Sequence, residues 1–311
     1  MTSAPSFPDF VVTREYQRFV EFCEACRQYR YIGLCYGPPG VGKTLSARHY
    51  TNWDKVEAFR PYGYSPDAAL QEVLASNTVL YTVPVVISPK ELVRDITAGR
   101  HKLHSIRVEP LVREESIQRE ELKKREQERR DTAFDRDWYA DPPLEPLKPS
   151  FADIARLYHD KRSEASDPTS LVIIDETDRL KMTGVEQVRD LFDQGGIGLV
   201  LIGMPGMEKR LARFPQLYSR IGFVHAFRPL RAEDVRHLLQ ERWAPAGVAL
   251  PEEGIAEEEA VAAMIRITGG NFRLLHRLLT QVARLVEING LEKVTPQVVE
   301  AARESLVIGV T

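Results

Sequence analysis

An α/β fold, a parallel β-sheet sandwiched between helices and followed by a small all-helical domain, is the class that this sequence predicts. Three observations carry it. The glycine-rich stretch GPPGVGKT at 37–44 sits between a short apolar run and a helical pattern. Apolar runs of strand length alternate with helical segments from 31 to 227. Beyond Pro229 the pattern is helical throughout.

Taken in order, Thr13 reads as the cap of a helix over 13–30, with Phe19, Phe22, Cys23 and Cys26 on one face at spacings of three and four. YIGLCY at 31–36 is a first strand, and a helix starts at Lys43. A second strand is expected within 79–88, where Pro84 breaks it. LVIID at 171–175, GLVLIG at 198–203 and IGFVHAF at 221–227 complete five strands, short and apolar enough to be buried in a parallel sheet. Four helical patterns follow between 231 and 306, with Gly or Pro between most of them. The division expected is an N-terminal segment and helix (1–30), a nucleotide-binding core (31–228) and a helical lid (229–311). The core carries a charged insertion at about 104–150. Within it, about fourteen of the nineteen residues from Arg113 to Asp131 are charged, so 113–137 reads as a solvated, protruding helix. Its support is expected from the pairs Glu120/Lys124, Glu121/Arg125 and Glu126/Arg130. PPLEPLKP at 142–149 reads as a stiff return to the core.

Bulk properties exclude several classes. A chain of 311 residues with net charge −3 and pI near 6.2 is no generally basic nucleic-acid binder, so such a surface must be local. No apolar run reaches membrane-span length, the N-terminus lacks the layout of a signal peptide, and three cysteines build no disulfide framework. A cytoplasmic protein with no membrane partner is expected. Cys23 and Cys26 form a C-x-x-C on a helix with no second metal-ligating pair, which reads as two small helix residues facing the core.

The chemistry begins at the loop. Gly37, Pro38, Pro39, Gly40, Val41, Gly42, Lys43 and Thr44 match G-x-x-x-x-G-K-[ST] in full, and Leu45 continues into the helix. The glycines let successive N–H groups face phosphate at a helix N-terminus. Lys43 is expected to reach the β- and γ-phosphates of ATP, and Thr44 to offer its hydroxyl to Mg2+. Asp175 leaves its strand beside this loop and is expected to share the Mg2+ shell, while Glu176 is placed to polarise an attacking water. Arg220, just before the last strand, reads as an arginine pointing into a neighbouring subunit's ATP, with Arg213 in reserve. Arg273, one turn into the helix opened by Gly269-Gly270, reads as a lid contact to phosphate; His276 reads as packing or solvent-facing.

Together these motifs resemble an AAA+ ATPase. The run QVRDLFDQGGIGLVLIGMPGMEKRLARFPQLYSRIGFVHAF resembles the transposition-regulator branch, the TnsC, TniB and MuB proteins, and EYQRFVEFCEACRQYRYIGLCYGPPGVGKT is similar to their entry into the core. The resemblance implies an ATP-dependent protein that assembles as a homo-oligomeric ring or filament on double-stranded DNA. It further implies a transposase and a target selector as partners. Lys43, Thr44, Asp175, Glu176, Arg220 and Arg273 match the family's nucleotide positions, and Lys90, Arg94, Arg100 and Lys102 fall where it places DNA contacts. The chain departs from the pattern at Gly203-Met204, where many such ATPases carry Asn, Thr or Ser; slow or partner-dependent turnover is expected. Alternative readings are a replication-initiator or helicase-loader ATPase, and a signalling or defence switch that touches no DNA.

Overall fold

The computed structural model describes residues 10–134, 151–243, 255–291 and 293–306. Thr13 caps α1 (Arg14–Tyr29) by accepting the Tyr16 N–H, and the helix stops where Arg30 turns left-handed. Strand β1 (Ile32–Tyr36) precedes the glycine loop, α2 (Lys43–Thr51), α3 (Trp53–Ala58) and α4 (Asp67–Val73). Then come β2 (Thr78–Thr82), α5 (Pro89–Phe134), α6 (Phe151–Glu164) and β3 (Leu171–Asp175). They are followed by α7 (Met182–Asp193), β4 (Gly198–Gly203), α8 (Met207–Leu211), α9 (Pro215–Tyr218) and β5 (Ile221–Ala226). Among the described residues there follow α10 (Ala232–Leu238), which runs on into a π-helical turn (Leu239–Trp243), α11 (Ile255–Thr268), α12 (Phe272–Asn289) and α13 (Pro296–Glu304).

The five strands form one parallel sheet in the order β2-β3-β4-β1-β5, flanked by helices. β1 pairs in parallel with β4, Tyr36 opposite Gly203, and with β5, Tyr36 opposite Ala226. β3 and β4 are buried at every position, as two-sided cover by helices requires. This order sets the ends of β3 and β4 beside the loop that follows β1. Among the described residues no helix is long and apolar enough to cross a membrane.

Two compact units divide the described chain. One holds residues from 1–50, 82–89 and 173–311; the other holds 51–81 and 90–172. In the first, α1 packs on β1, β4 and β5 through Phe19, Phe22, Cys23 and Cys26. The approach is close: a Cβ on Gly198 would stand 2.8 Å from the Cys26 carbonyl carbon. Burial pushes the Cys23 and Cys26 thiols up, so neither is a nucleophile at neutral pH. The first turn of α1 also holds the segment joining β5 to α10. Glu15 accepts the Arg228 N–H at 3.1 Å and lies 3.1 Å from His225 Nε2. Asp234 accepts the N–H groups of Arg231 (3.0 Å) and Arg14 (3.4 Å). Beyond this segment, α10 to α13 enclose a core of their own that includes Leu238, Met264, Leu275, Leu278, Leu279, Val282 and Val299.

In the second unit the charged stretch differs from expectation. One 46-residue helix, α5, begins at Pro89 rather than Arg113, and it runs through Pro110. Leu92, Ile96, Leu103 and Ile106 are buried along its first half, and Val108 and Val112 pack with Leu157 and Tyr158 of α6. That burial continues past the proline, which by itself disfavours a helix interior. Glu109 is wholly buried, receiving the N–H groups of Tyr62 (3.1 Å) and Gly63 (2.9 Å) and the Arg113 guanidinium (2.8 Å). Neither Glu120/Lys124 nor Glu121/Arg125 closes; the pairs that form are Glu115–Arg119 at 2.6 Å and Glu115–Lys161 at 2.9 Å. Exposed carboxylates and ammoniums gain little from pairing, so solvation wins at 120–125. The side chains of Glu126 and Arg130, and residues 135–137 and 142–149, lie outside the described residues.

Gly198→Ala is expected to destabilise the fold by about 1–3 kcal/mol, because α1 backbone cannot yield to the added methyl; urea unfolding measures it. Glu15 supports a second expectation. Burial opposes its charge, but His225, the Arg228 N–H and Arg18 outweigh it and hold the carboxyl below its ordinary 4.5. Its stabilisation is therefore complete above pH 4.5 and is lost as pH falls through the lower folded value. Glu15→Gln should lower Tm at neutral pH, and the gap to wild type should close in acid.

Candidate nucleotide site

The loop after β1 closes on itself before any ligand is considered. Lys43 Nζ donates to the carbonyls of Gly37 at 2.6 Å and Pro38 at 2.8 Å. Burial lowers the Lys43 pKa, while Cys35, Asp175 and Glu176 pull the other way. Gly40 and Gly42 adopt positive φ of 80° and 106°, the conformation that lets the backbone wrap. Thr44 Oγ1 donates to Asp175 Oδ2 at 2.6 Å, and Asp175 Oδ1 accepts the Glu176 N–H at 2.8 Å. Glu176 itself holds φ 56°, a conformation unusual for a side chain of its size. Its carboxylate lies 3.6 Å from Arg179, whose guanidinium donates to the Val83 carbonyl at 2.7 Å.

Gly40, Gly42, Lys43, Thr44, Asp175 and Glu176 line a cavity of about 630 Å³ together with Pro39, Leu45, Arg48, Asp178, Gly203, Met204, Phe272, Arg273 and His276. The volume suits a nucleotide. A much smaller cleft of about 30 Å³ is lined by Phe10, Val11, Val41, Leu45, Phe227, Leu230 and Phe272 with Thr13, Glu15 and Ser46. The lid reaches the loop through backbone. Arg273 N–H donates to the Gly40 carbonyl at 2.9 Å, and Asn271 Nδ2 donates to the Pro39 carbonyl at 2.7 Å. Asn271 also caps α12, its oxygen accepting the N–H groups of Arg273 and Leu274.

The structure thus brings Gly40, Gly42, Lys43, Thr44, Leu45, Asp175, Glu176 and Arg273 to one cavity. Gly37 and Pro38 hold Lys43 from behind. Arg220 is outside the lining. It sits on the surface, its guanidinium donating to both carboxylate oxygens of Asp193 at 2.6 and 2.9 Å; Arg213 is exposed. The four cations of α5 do not share a face: Lys90 and Arg94 are one turn apart, whereas Arg100 and Lys102 point elsewhere along the helix. Arg94 pairs with Asp95, Arg100 with Asp167 at 2.8 Å, and Lys102 donates to the Glu57 carbonyl at 2.7 Å. Sequence reasoning missed Arg48, Asp178 and Asn271, and it gave His276 no place in the lining. Asp178 had a legible signal, the spacing of three from Asp175; Asn271 precedes the lid helix as a cap residue should.

Mg2+ fits the donor set, since the Thr44 hydroxyl and the Asp175 carboxylate, both hard oxygen ligands, already lie side by side. Asn271→Ala removes a helix cap and a tie to the loop together. Expected are a loss of about 1 kcal/mol in lid stability and weaker ATP binding, read by thermal unfolding and fluorescent-nucleotide titration.

Comparison with known proteins agrees with this geometry. The family described as "AAA domain" matches residues 26–211, more than half of the chain. A "Potential ATP-binding protein" of Staphylococcus aureus is 37% identical over 308 residues, covering 97% of this chain and 98% of that protein. The Thermotoga maritima RuvB Holliday junction branch migration motor superposes with a TM-score of 0.51 at 14% identity, over 97% of this chain and 72% of its own. A mutant of the same motor gives 0.52 at 13% identity, over 96% and 71%. At those identities the likeness is one of fold. The chain belongs to the AAA domain family as an ATP-binding AAA+ ATPase.

Proposed function

We propose that this ATPase assembles on duplex DNA in an ATP-dependent ring or filament, in the cytoplasm, and regulates transposition. It does so by selecting a target site with an upstream selector and recruiting a transposase. The observation that carries the assembly is the placement of Arg220. The cavity draws its lining cations from Lys43, Arg48 and Arg273, while Arg220 lies outside it, held by Asp193. An arginine that cannot serve its own chain's nucleotide can serve a neighbour's once Asp193 releases it, and such arginines account for much of the rate in related phosphoryl-transfer sites.

Within one chain, Lys43 exchanges the Gly37 and Pro38 carbonyls for phosphate oxygens. Thr44 and Asp175 hold Mg2+, which when bound offsets phosphate charge. Glu176 takes the proton of the attacking water, and Arg273 reports nucleotide to the lid. The resemblance of 187–227 and 15–44 to transposition regulators supports the DNA reading. Phosphate contacts fall first to Lys90 and Arg94, which share a face. Two cations per chain bind weakly, so affinity comes from many subunits adding their contacts.

Electron microscopy with duplex DNA and a slowly hydrolysed ATP analogue is expected to show ordered assemblies that need both ligands. Arg220→Ala should bind ATP yet neither assemble nor hydrolyse, and mixing it with Asp175→Ala chains should restore turnover. Assemblies indifferent to DNA would instead favour a switch ATPase that moves a protein partner.

A further inference from the structure

β4 ends between β3 and β1, and its last residue, Gly203, lines the nucleotide cavity. The space a side chain would take there is filled from another element. A Cβ on Gly203 would stand 2.7 Å from Asp178 Oδ2 and would also press on Met207 Sδ. Asp178 belongs to the single 3-10 turn, Thr177–Arg179, that follows β3. Its Oδ2 accepts the Met204 N–H at 2.7 Å, and it lines the nucleotide cavity beside Asp175 and Glu176. Behind the turn, Arg210 of α8 donates to the carbonyls of Asp178 and Leu180.

We propose that Asp178 takes the place of the polar side chain that β4 lacks: it fixes the end of β4 through the Met204 N–H and, with its other oxygen, orients the attacking water beside Glu176. It is a positioning residue, and the proton still passes to Glu176 as the β–γ bridging bond breaks and ADP leaves with its electron pair. The choice of a carboxylate has a consequence. A carboxylate accepts and does not donate, so it addresses water and not the phosphate oxygens. The water must therefore present its hydrogens to Asp178 and Glu176, which leaves its lone pair for the γ-phosphorus. The same occupancy accounts for glycine at 203, since any Cβ there competes with the carboxylate.

The test is steady-state ATP hydrolysis by the full chain, with ATP affinity and thermal stability measured in parallel and no DNA present. It rests on the ATPase activity alone and is indifferent to the transposition reading. Asp178→Ala is expected to lower kcat on the order of 10²-fold while ATP affinity changes little. Asp178→Asn can still accept the Met204 N–H, but it turns an NH2 donor toward the water; kcat should fall similarly, with Tm near wild type. Gly203→Asn alone should lower kcat by displacing Asp178. In the Asp178→Ala background it places an amide in the vacated space and should raise kcat above the single variant. Wild-type or faster turnover in Asp178→Asn, or a double variant no better than Asp178→Ala, overturns the proposal. So does a parallel loss of ATP affinity and stability without any separate fall in kcat.

Discussion

Everything in the nucleotide unit depends on one constraint: parallel strands deliver all their C-terminal ends to the same edge of a sheet. β1 brings the loop there, β3 brings Asp175 and Glu176, and β4 brings Gly203, with β4 between the other two. The hydrogen bond from Thr44 to Asp175, 131 positions later in the chain, exists because strand order makes neighbours of distant segments. Packing then fixes the order. β3 and β4 are buried on both faces, and α1 lies so close to β4 that Gly198 has no room for a side chain.

The second layer of organisation is the tie between lid and loop. It runs through backbone carbonyls of Pro39 and Gly40, met by Asn271 and the Arg273 N–H. Any shift of the loop around phosphate is therefore felt at the first turn of α12 without a side chain having to change partners. At the other side, Glu15 and Asp234 bind the same chain segment to α1, so the path from β5 into the lid is held at both ends.

Much of this was legible in the residues. Five apolar runs marked five strands within two residues of their starts, and Pro84 shortened β2 as a missing N–H requires. The loop and the acids were legible because phosphate chemistry demands those residue types in that spacing. α5 was legible only in its second half. Its apolar positions, Leu92, Ile96, Leu103 and Ile106, are scattered among Arg and Lys, and Pro110 reads locally as a boundary that burial overrides. The expected pairs Glu120/Lys124 and Glu121/Arg125 did not form, because spacing sets only the opportunity for a pair and water sets its value. Asp178 was legible as an acid three residues after Asp175, but its place beside β4 was not, because that place is defined by the absence of a side chain at Gly203, a residue on another strand. Spacing along one segment cannot report a vacancy on another.

The position of Lys43 carries one last consequence. Its ammonium has two carbonyl partners in its own loop, so the cation braces the curvature of the backbone around it. On the function proposed above, a phosphate chain at this site competes with two backbone carbonyls for the same three N–H bonds of one ammonium, so binding exchanges one set of oxygens for another.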